Sequence, residues 1–310
     1  MKKITIAIPH YKAVESLKRL LSALENQNFN KSEFEVLVVN DGVESRVRKN
    51  ELGDFSFELK IINKRHDGVA STRNKAINAC SSDFIFFLDQ DCIPQKEWLK
   101  NMTSRFEKEN YEVVAIGGLI IPFVNKGIVN EYFNTNNSLK APIIDKKTGE
   151  IVTIITANAG FRSDALKSIS GFDTKTFNVL SYGGEDVDLT YRLKKAGYSL
   201  AFEPTAVVLH EYPNKFISIF FKYANYGRGM RLYCLARNID PQLIRQPRFN
   251  LISFLKYLPG VAKKVKKAYK RFRQSKGILK SIIFSFFESV KFAGHIYGYF
   301  YRSYKIRMNK

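Results

Sequence analysis

The sequence predicts a mostly parallel α/β domain followed by a basic helical region. Short apolar runs end abruptly at turn residues, as buried strands of a parallel sheet do. Helical patterns separate these runs at the spacing of βαβ units. Charge marks the boundary: residues 213–310 contain 22 Lys and Arg and two acidic residues, a net charge of +20, whereas residues 1–212 have a net charge of +1. We therefore predict a domain over residues 1–212 and a separate basic, aromatic helical region over residues 213–310.

The first half of the chain alternates strand and helix patterns. The segment KITIAIP ends at Pro9 and predicts a short strand, and four leucines between Leu17 and Leu24 form one face of an amphipathic helix. The continuous apolar run in FEVLVVNDG predicts a covered strand. A strand, a loop and a helix that starts near Ser71 follow in LKIINKRHDGVASTRNKAINAC, and DFIFFLDQD predicts the next buried strand.

Four further patterns complete the predicted domain. VVAIGGLIIPF has a strand pattern, and TIITANAGFRSDAL reads as strand, turn and helix. GGEDVDLTYRLKKAGY predicts a helix, since Leu189 and Leu193 lie four residues apart and Gly197 is suited to its C-terminus. SLAFEPTAVVLHEY predicts a last strand. No internal repeat and no low-complexity linker interrupts these segments.

Several classes of protein are excluded by missing motifs. No glycine-rich turn follows the first strand, and the chain has no P-loop, no Gly-x-Ser-x-Gly elbow and no zinc-binding His-x-x-x-His helix. The three cysteines have no metal-ligand spacing, and their odd number argues against a disulfide framework. The apolar run at the N-terminus is far shorter than that of a secretory signal, so we expect a cytoplasmic protein with reduced thiols.

Polar clusters follow four of the predicted strands, at Pro9–Tyr11, Asn40–Gly42, Arg65–Asn74 and Asp89–Asp91. Ligands of mostly parallel sheets bind outside the carboxyl ends of the strands. We therefore expect these four clusters to border one site.

Acidic residues dominate two of the candidate segments. Asp89 and Asp91 are separated by one residue, so they are either turn residues or two carboxylates that face one cation such as Mg²⁺ or Mn²⁺. EDVD places a second acidic cluster at a predicted helix start, where a general base can lie. Arg73 adds a charge suited to phosphate. Together these residues suggest transfer of a group from a nucleoside diphosphate donor to a hydroxyl.

Six segments in order resemble one known family: ITIAIPHYK, VLVVNDG, GVASTRNKAI, FIFFLDQDCIP, ANAGFRSDAL and GGEDVDLTYRL. The resemblance is to family-2 glycosyltransferases with the GT-A fold, a Rossmann-like, mostly parallel central sheet flanked by helices, and it covers roughly residues 3–212. The Gln-x-x-Arg-Trp element of processive synthases is missing. The resemblance therefore implies a non-processive, inverting enzyme of the bacterial envelope polysaccharide type.

The resemblance also implies roles for individual residues. Asp186 would be the catalytic base with Glu185 beside it, and Asp89 and Asp91 would form the Asp-x-Asp metal and ribose site. His210 would be a further metal ligand, which tilts the expected ion from Mg²⁺ toward Mn²⁺. The residues that would bind the donor nucleotide, with a UDP-sugar favoured, are Pro9, Tyr11, Asp41, Gly68, Arg73 and Asp89. The residues expected on the acceptor and sugar side are Asn158, Arg162 and Gly184.

Two departures from the family pattern leave the nucleotide base open: Asn40 replaces the usual acid, and PHYK replaces Pro-x-Tyr-Asn. Cys92 we interpret as a small buried residue.

The basic region mixes cations with aromatic residues. VAKKVKKAYKRFRQSK predicts a cationic helix, and ILKSIIFSFFESVKFAGHIYGYFYRSY is too interrupted by charge for a span of about 20 apolar residues. We expect an amphipathic helix on the anionic inner face of the cell membrane, where a lipid-linked acceptor is met. Binding of nucleic acid, binding of an anionic glycan and a homo-oligomer interface are the alternatives.

Three functions are compatible with these observations. The first is a metal-dependent glycosyltransferase that acts on a lipid-linked or envelope glycan. The second is a catalytically silent nucleotide-sugar-binding adaptor at the membrane, and the third is a nucleotidyltransferase, which also uses paired acids.

Overall fold

The computed structural model describes residues 3–123, 127–135, 142–144, 148–179, 183–212, 215–244, 246 and 251–308. The chain divides into two compact units. The first comprises residues 1–124, 136–180 and 185–212, and the second comprises residues 125–135, 181–184 and 213–310.

Among the described residues, ten strands form two sheets. They are β1 (Ile4–His10), β2 (Phe34–Asp41), β3 (Glu58–Lys64), β4 (Phe84–Leu88), β5 (Cys92–Pro94), β6 (Val113–Pro122), β7 (Ile143–Ile144), β8 (Ile151–Thr153), β9 (Asn158–Arg162) and β10 (Ser199–His210). Eight of them pair in the order β3-β2-β1-β4-β9-β6-β10-β5, and β7 pairs with β8. Strands β1 to β4 are mutually parallel where they pair, β9 is antiparallel to both of its neighbours, and β6 is parallel to β10.

The described part of the chain also forms eight α-helices. They are α1 (Val14–Glu25), α2 (Val69–Ala79), α3 (Trp98–Lys108), α4 (Ile128–Thr135), α5 (Ser163–Ser168), α6 (Glu185–Lys195), α7 (Ile217–Ala236) and α8 (Leu251–Met308). Gly277 has φ 77° and ψ 178°, which breaks α8 into two helical segments. We call residues 251–276 the first segment of α8 and residues 278–308 the second.

The core of the first unit lies between the sheet and its helices. Strands β2 and β4 are buried along their whole length, which explains their continuous apolar sequence. The four leucines of α1 are fully buried against the sheet. On α3, the ring of Trp98 meets that of Phe86 edge-on at 6.1 Å, and Phe106 stacks on Phe86 at 5.8 Å. These contacts fix the strand that carries Asp89 at its end.

The second unit is helical, and its helices pack on aromatic rings and glycines. Tyr132 of α4 lies within 6.3 Å of the rings of Phe272, Phe284 and Phe287, all on α8. Helices α7 and α8 approach so closely that a Cβ at Gly298 would collide with the carbonyl oxygen of Ala224. Glycine at this crossing therefore permits backbone contact that any side chain would prevent.

The predicted fold class is confirmed. A mostly parallel sheet flanked by helices precedes a basic helical region, and α2 begins at Val69, two residues before the predicted start. Helix α3 and strand β5 were not predicted. Strand β5 has only three residues, whereas the buried residues of α3, from Trp98 to Phe106, do have helical spacing. No helix within the described residues is long and apolar enough to cross a membrane.

Candidate active site

The loops after β1, β2, β3 and β4 meet at one edge of the sheet, because these four strands are parallel. Tyr11, Asp41, Gly68 and Asp89 lie in or beside these loops, as the sequence predicts. The side chains at this edge form three groups: one around Asp41, one around Arg73 and one around Asp91.

Asp41 organises the loop between β3 and α2. Its carboxylate accepts hydrogen bonds from the backbone amides of Asp67 and Gly68, each at 2.9 Å, and from the Lys64 ammonium. Burial raises the pKa of Asp41, but the hydrogen bonds from Lys64 and the two amides outweigh it and lower the pKa overall. The carboxylate is therefore ionised and holds this loop in place.

Gly68 has φ +94°, and a Cβ there would lie 2.9 Å from the backbone nitrogen of Val179. Only glycine combines that backbone conformation with that contact at the start of α2.

The Tyr11 ring stacks on the imidazole of His66, with centroids 4.5 Å apart and planes inclined by 15°. His66 Nδ1 lies 2.9 Å from Asp41 Oδ2. The backbone nitrogen of Tyr11 donates to Gln90 Oε1 at 2.9 Å, and Gln90 Nε2 donates back to the carbonyl of Tyr11 at 3.3 Å. The loops that follow β1, β3 and β4 are thus tied together beside Pro9, around two half-buried rings.

Arg73 joins the two acidic segments. The guanidinium is 3% exposed, and it donates to Asp89 Oδ1 at 2.9 Å and to Glu185 Oε1 at 3.0 Å. Its Nη1 also lies 3.6 Å from Asp186 Oδ1. Burial lowers the pKa of Arg73, but the charges of Asp89, Asp186 and Glu185 outweigh burial and raise it. One buried cation therefore balances three carboxylates at the edge of the sheet.

Asp186, the third carboxylate of this group, has a raised pKa. Burial raises its pKa to about 7, with the charge of Glu185 adding to the effect, while Arg73 and a hydrogen bond from Thr156 oppose it. The hydroxyl of Thr156 donates to Asp186 Oδ1 at 2.5 Å. A carboxylate with a pKa near neutrality can accept and release a proton under physiological conditions.

Glu185 has one oxygen on Arg73, whereas its buried Oε2 has no hydrogen-bond partner within the part of the chain that the structure describes. A buried carboxylate oxygen is costly to leave without a donor. This oxygen is therefore ready to accept a hydrogen bond from a bound ligand.

Asp91, Cys92 and His210 each offer one ligand atom, and these atoms lie within 4.8 Å of one another. Cys92 and His210 are opposite residues on the antiparallel strands β5 and β10, so their side chains share one face. His210 Nε2 is 3.7 Å from Asp91 Oδ1, and its buried Nδ1 has no partner among the described residues. Carboxylate, thiol and imidazole together form a donor set for a divalent transition metal.

Two residues expected on the acceptor side have other partners. Asn158 is fully buried, accepts a hydrogen bond from the Trp98 indole at 2.8 Å and donates to the carbonyls of Leu119 and Ala206. Arg162 lies opposite Phe84, at the amino end of β4 and far along that strand from Asp89. The structure thus gives Asn158 a role in packing and does not bring Arg162 to this edge.

Gly184 belongs to the second unit. It has φ +94°, and a Cβ there would lie 2.7 Å from the carbonyl of Gly229 on α7. Glycine is therefore required at this position because the backbone packs closely against α7.

Three residues of the site were missed by sequence reasoning. Cys92 was interpreted as packing only, and neither His66 nor Thr156 was singled out. His66 does fall inside the polar cluster Arg65–Asn74, which was expected to border the site, and Thr156 falls inside TIITANAGFRSDAL, which was interpreted as strand, turn and helix. Their spacing from Asp41 and Asp186 carries no signal, because 25 and 30 residues separate the partners.

Comparisons with known proteins identify the family and the fold. The sequence model of the family described as "Glycosyl transferase family 2" matches residues 5–170. A curated relative, the pre-mycofactocin glycosyltransferase of Mycobacterium tuberculosis, is 29% identical over 233 residues, which are 73% of this chain and 46% of the relative. The chain thus spans about half the length of this relative.

Two solved structures share the fold. A mannosyltransferase from Pyrobaculum calidifontis, in complex with GDP-Man and Mn²⁺, superposes with a TM-score of 0.61 at 15% identity and covers 96% of this chain and 86% of its own. Residues 1–349 of TarS from Staphylococcus aureus, in complex with UDP, superpose with a TM-score of 0.57 at 17% identity, covering 100% and 92%. At these identities the comparison shows a common fold.

Proposed function

The chain belongs to glycosyl transferase family 2, and on that premise we propose that it moves one sugar from a nucleoside diphosphate sugar to an acceptor hydroxyl, with inversion at the anomeric carbon. The observation that carries the proposal is Asp186, a half-buried carboxylate with a pKa of about 7 beside Arg73 and Thr156. The proposed acceptor is a lipid-linked or envelope glycan. The mannosyltransferase neighbour binds GDP-Man, a nucleoside diphosphate sugar, and the TarS neighbour binds UDP, a nucleoside diphosphate.

Asp186 is proposed as the general base. Its carboxylate takes the proton of the acceptor hydroxyl as that oxygen bonds to the anomeric carbon, and the bond from that carbon to the diphosphate breaks. The nucleoside diphosphate leaves with the electron pair. A base whose pKa lies near the working pH combines a large ionised fraction with useful basicity.

Arg73 and Glu185 are proposed to position the donor. The Arg73 guanidinium holds the carboxylates of Asp89 and Glu185 in place, since it donates to both. Glu185 Oε2, which has no partner among the described residues, would accept a hydrogen bond from a hydroxyl of the donor sugar. Tyr11, His66 and the Asp41 loop are proposed to border the nucleoside.

A divalent cation is proposed at Asp91, Cys92 and His210. The residues fit such an ion, because three ligand atoms of suitable chemistry converge within 4.8 Å of one another. When bound, the metal supplies positive charge that stabilises the departing diphosphate. Asp89 is proposed to contribute on the donor side, although its carboxylate bonds to Arg73 here.

The test is a thermal-shift panel of nucleotides and nucleotide sugars, each with and without Mn²⁺, followed by a transfer assay with the donor that binds. Asp91→Asn should abolish the metal-dependent shift. Asp186→Asn should keep the donor-induced shift and lose turnover by at least a hundredfold. Turnover retained in Asp186→Asn would remove that residue from the proposed role. Donor binding by the unmodified protein without transfer or hydrolysis would indicate the silent adaptor instead.

A further inference from the structure

The second segment of α8 exposes apolar side chains at positions where a helix that faces water would expose polar ones. Among residues 278–297, all of which the structure describes, every exposed residue is uncharged. These exposed residues are Ile278, Leu279, Ile282, Phe286, Ser289, Ala293 and Tyr297. Ile282 and Phe286 are 55% and 56% exposed, and Leu279 is 73% exposed. A helix that faces water normally places its polar residues on that side.

The charged residues of the same segment are engaged elsewhere. Lys280 donates to both oxygens of Glu131 at 2.8 Å. Glu288 is 4% exposed and accepts a hydrogen bond from the Tyr132 hydroxyl at 2.9 Å. Lys291 lies 3.5 Å from Glu288 and 5.0 Å from the centre of the Tyr223 ring. The segment therefore pairs its charges with other residues of the unit, with the Lys280 side chain still 45% exposed, and turns its apolar side chains to the outside.

Helix α7 extends this surface. Phe216, Ile217 and Phe221 are 40%, 48% and 59% exposed, and the ring of Phe216 stacks on that of Phe286 at 5.8 Å. We define the apolar face as the eight exposed residues Phe216, Ile217, Phe221, Ile278, Leu279, Ile282, Phe286 and Tyr297. A surface with this many exposed large apolar side chains is typical of an interaction site.

The first segment of α8 is cationic, in contrast to the apolar face. Eight cations are exposed among the side chains that the structure describes in this segment: Lys256, Lys263, Lys264, Lys266, Lys267, Lys270, Arg271 and Arg273. No acidic residue occurs in the sequence between Asp240 and Glu288. The partner must accordingly be anionic as well as apolar.

An anionic lipid bilayer combines these two properties, since acyl chains lie directly beneath charged headgroups. Nucleic acid would satisfy the cations and would leave isoleucine and leucine side chains in water. A second copy of the chain would bring together two regions of net charge +20, which repel one another. The chemistry on both segments of α8 thus favours a membrane surface.

We propose that the second unit docks on an anionic membrane surface, with the apolar face inserted at the level of the headgroups and the eight cations over anionic lipid. The helices lie in the plane of the interface. This docking is independent of the transfer reaction proposed above.

The first experiment is co-sedimentation of the full chain with vesicles of phosphatidylcholine alone or mixed with phosphatidylglycerol. We expect binding to the mixed vesicles that is at least tenfold tighter than to the neutral ones. Phe286→Glu should lose at least tenfold in affinity, while Val152→Glu, an exposed apolar residue of the first unit, should bind as the unmodified chain does. Equal binding to both vesicle types, or by Phe286→Glu, would overturn the proposal.

A second measurement does not depend on how the charged variant folds. The chain has one tryptophan, Trp98, which is fully buried in the first unit. In Phe286→Trp, the introduced indole should shift its emission to the blue with anionic vesicles, and brominated acyl chains should quench it. An indole that stays in water, or a blue shift caused by RNA or by self-association without vesicles, would contradict membrane docking.

Discussion

The hydroxyl of Thr156 donates a 2.5 Å hydrogen bond to Oδ1 of Asp186, and the backbone amide of Thr156 lies 3.3 Å from Oδ2. One residue between β8 and β9 thus reaches both oxygens of a carboxylate at the start of α6. Hydrogen bonds to the ionised form of an acid lower its pKa, so Thr156 opposes the rise that burial and Glu185 impose. Thr156 is therefore a positioning residue for the proposed base.

Replacing Thr156 by valine should shift the activity profile to higher pH. Without the hydroxyl, the pKa of Asp186 rises further above about 7, so a smaller fraction is ionised at neutral pH. We expect the acid limb of kcat to move up by about one pH unit, with most activity recovered at alkaline pH. Thr156→Ser, which keeps the hydroxyl, is the matched control. An unshifted acid limb in Thr156→Val would contradict this role.

The raised pKa of Asp186 also makes a prediction for stability. Its folded value of about 7 lies above the ordinary 3.8, so folding favours the protonated acid. The associated stability is fully present below the unfolded pKa and is lost as the pH rises through the folded pKa. Asp186→Asn, which stays neutral, should melt close to the unmodified chain at about pH 4 and several degrees higher at about pH 8. Glu15→Gln, an exposed carboxylate, should show no such trend.

Removing the Arg73 cation should destabilise the first unit strongly. Arg73→Ala leaves Asp89, Glu185 and Asp186 without their shared buried partner. Loss of one partner from a buried ion pair costs about 3–5 kcal/mol. We expect a loss of this size in the free energy of urea unfolding at pH 8, and a smaller loss at pH 5, where Asp186 is protonated. Arg105→Ala, which breaks partly exposed pairs, should cost much less. A loss that does not change with pH would argue against charge as the cause.

The fold could be predicted because its evidence is local. Each element is indicated by residues that lie within about a dozen positions of one another: the apolar run of β4, the leucines of α1 and the turn residues after β2. The edge that gathers Tyr11, Asp41 and Asp89 then follows from parallel pairing. Strand β5 has three residues, too few for a periodic pattern. It can be identified only from the structure, where Cys92 pairs with His210 of β10.

The site could be predicted only in part, because its chemistry depends on pairs that are distant in sequence. Asp89 and Asp186 stand out as acids beside turns, whereas Thr156 and His66 gain their roles from carboxylates contributed by other segments. Asn158 shows the opposite case. Its place in a segment that resembles the family suggested that Asn158 contacts the acceptor. In the structure its side chain instead hydrogen-bonds to Trp98 and to two backbone carbonyls.

Cys92 should change which metal the proposed site prefers. Its thiol donates to the carbonyl of Ala157 at 3.3 Å, so a metal must displace that proton to bind the sulfur. A thiolate beside Asp91 and His210 favours Zn²⁺ and Co²⁺ over Mn²⁺. We expect the Co²⁺-loaded chain to show a thiolate-to-cobalt charge-transfer band in the near ultraviolet.

The cobalt band should disappear in Cys92→Ser while Co²⁺ binding itself, measured by calorimetry, persists through Asp91 and His210. Cys80→Ser is the matched control, because Cys80 is also buried and lies outside the cluster. Asp91→Asn should weaken Co²⁺ binding at least tenfold. A band retained in Cys92→Ser would exclude this sulfur as a ligand. Unchanged Co²⁺ binding in Asp91→Asn would instead reject the metal site, which separates a failure of the thiolate from a failure of the whole centre.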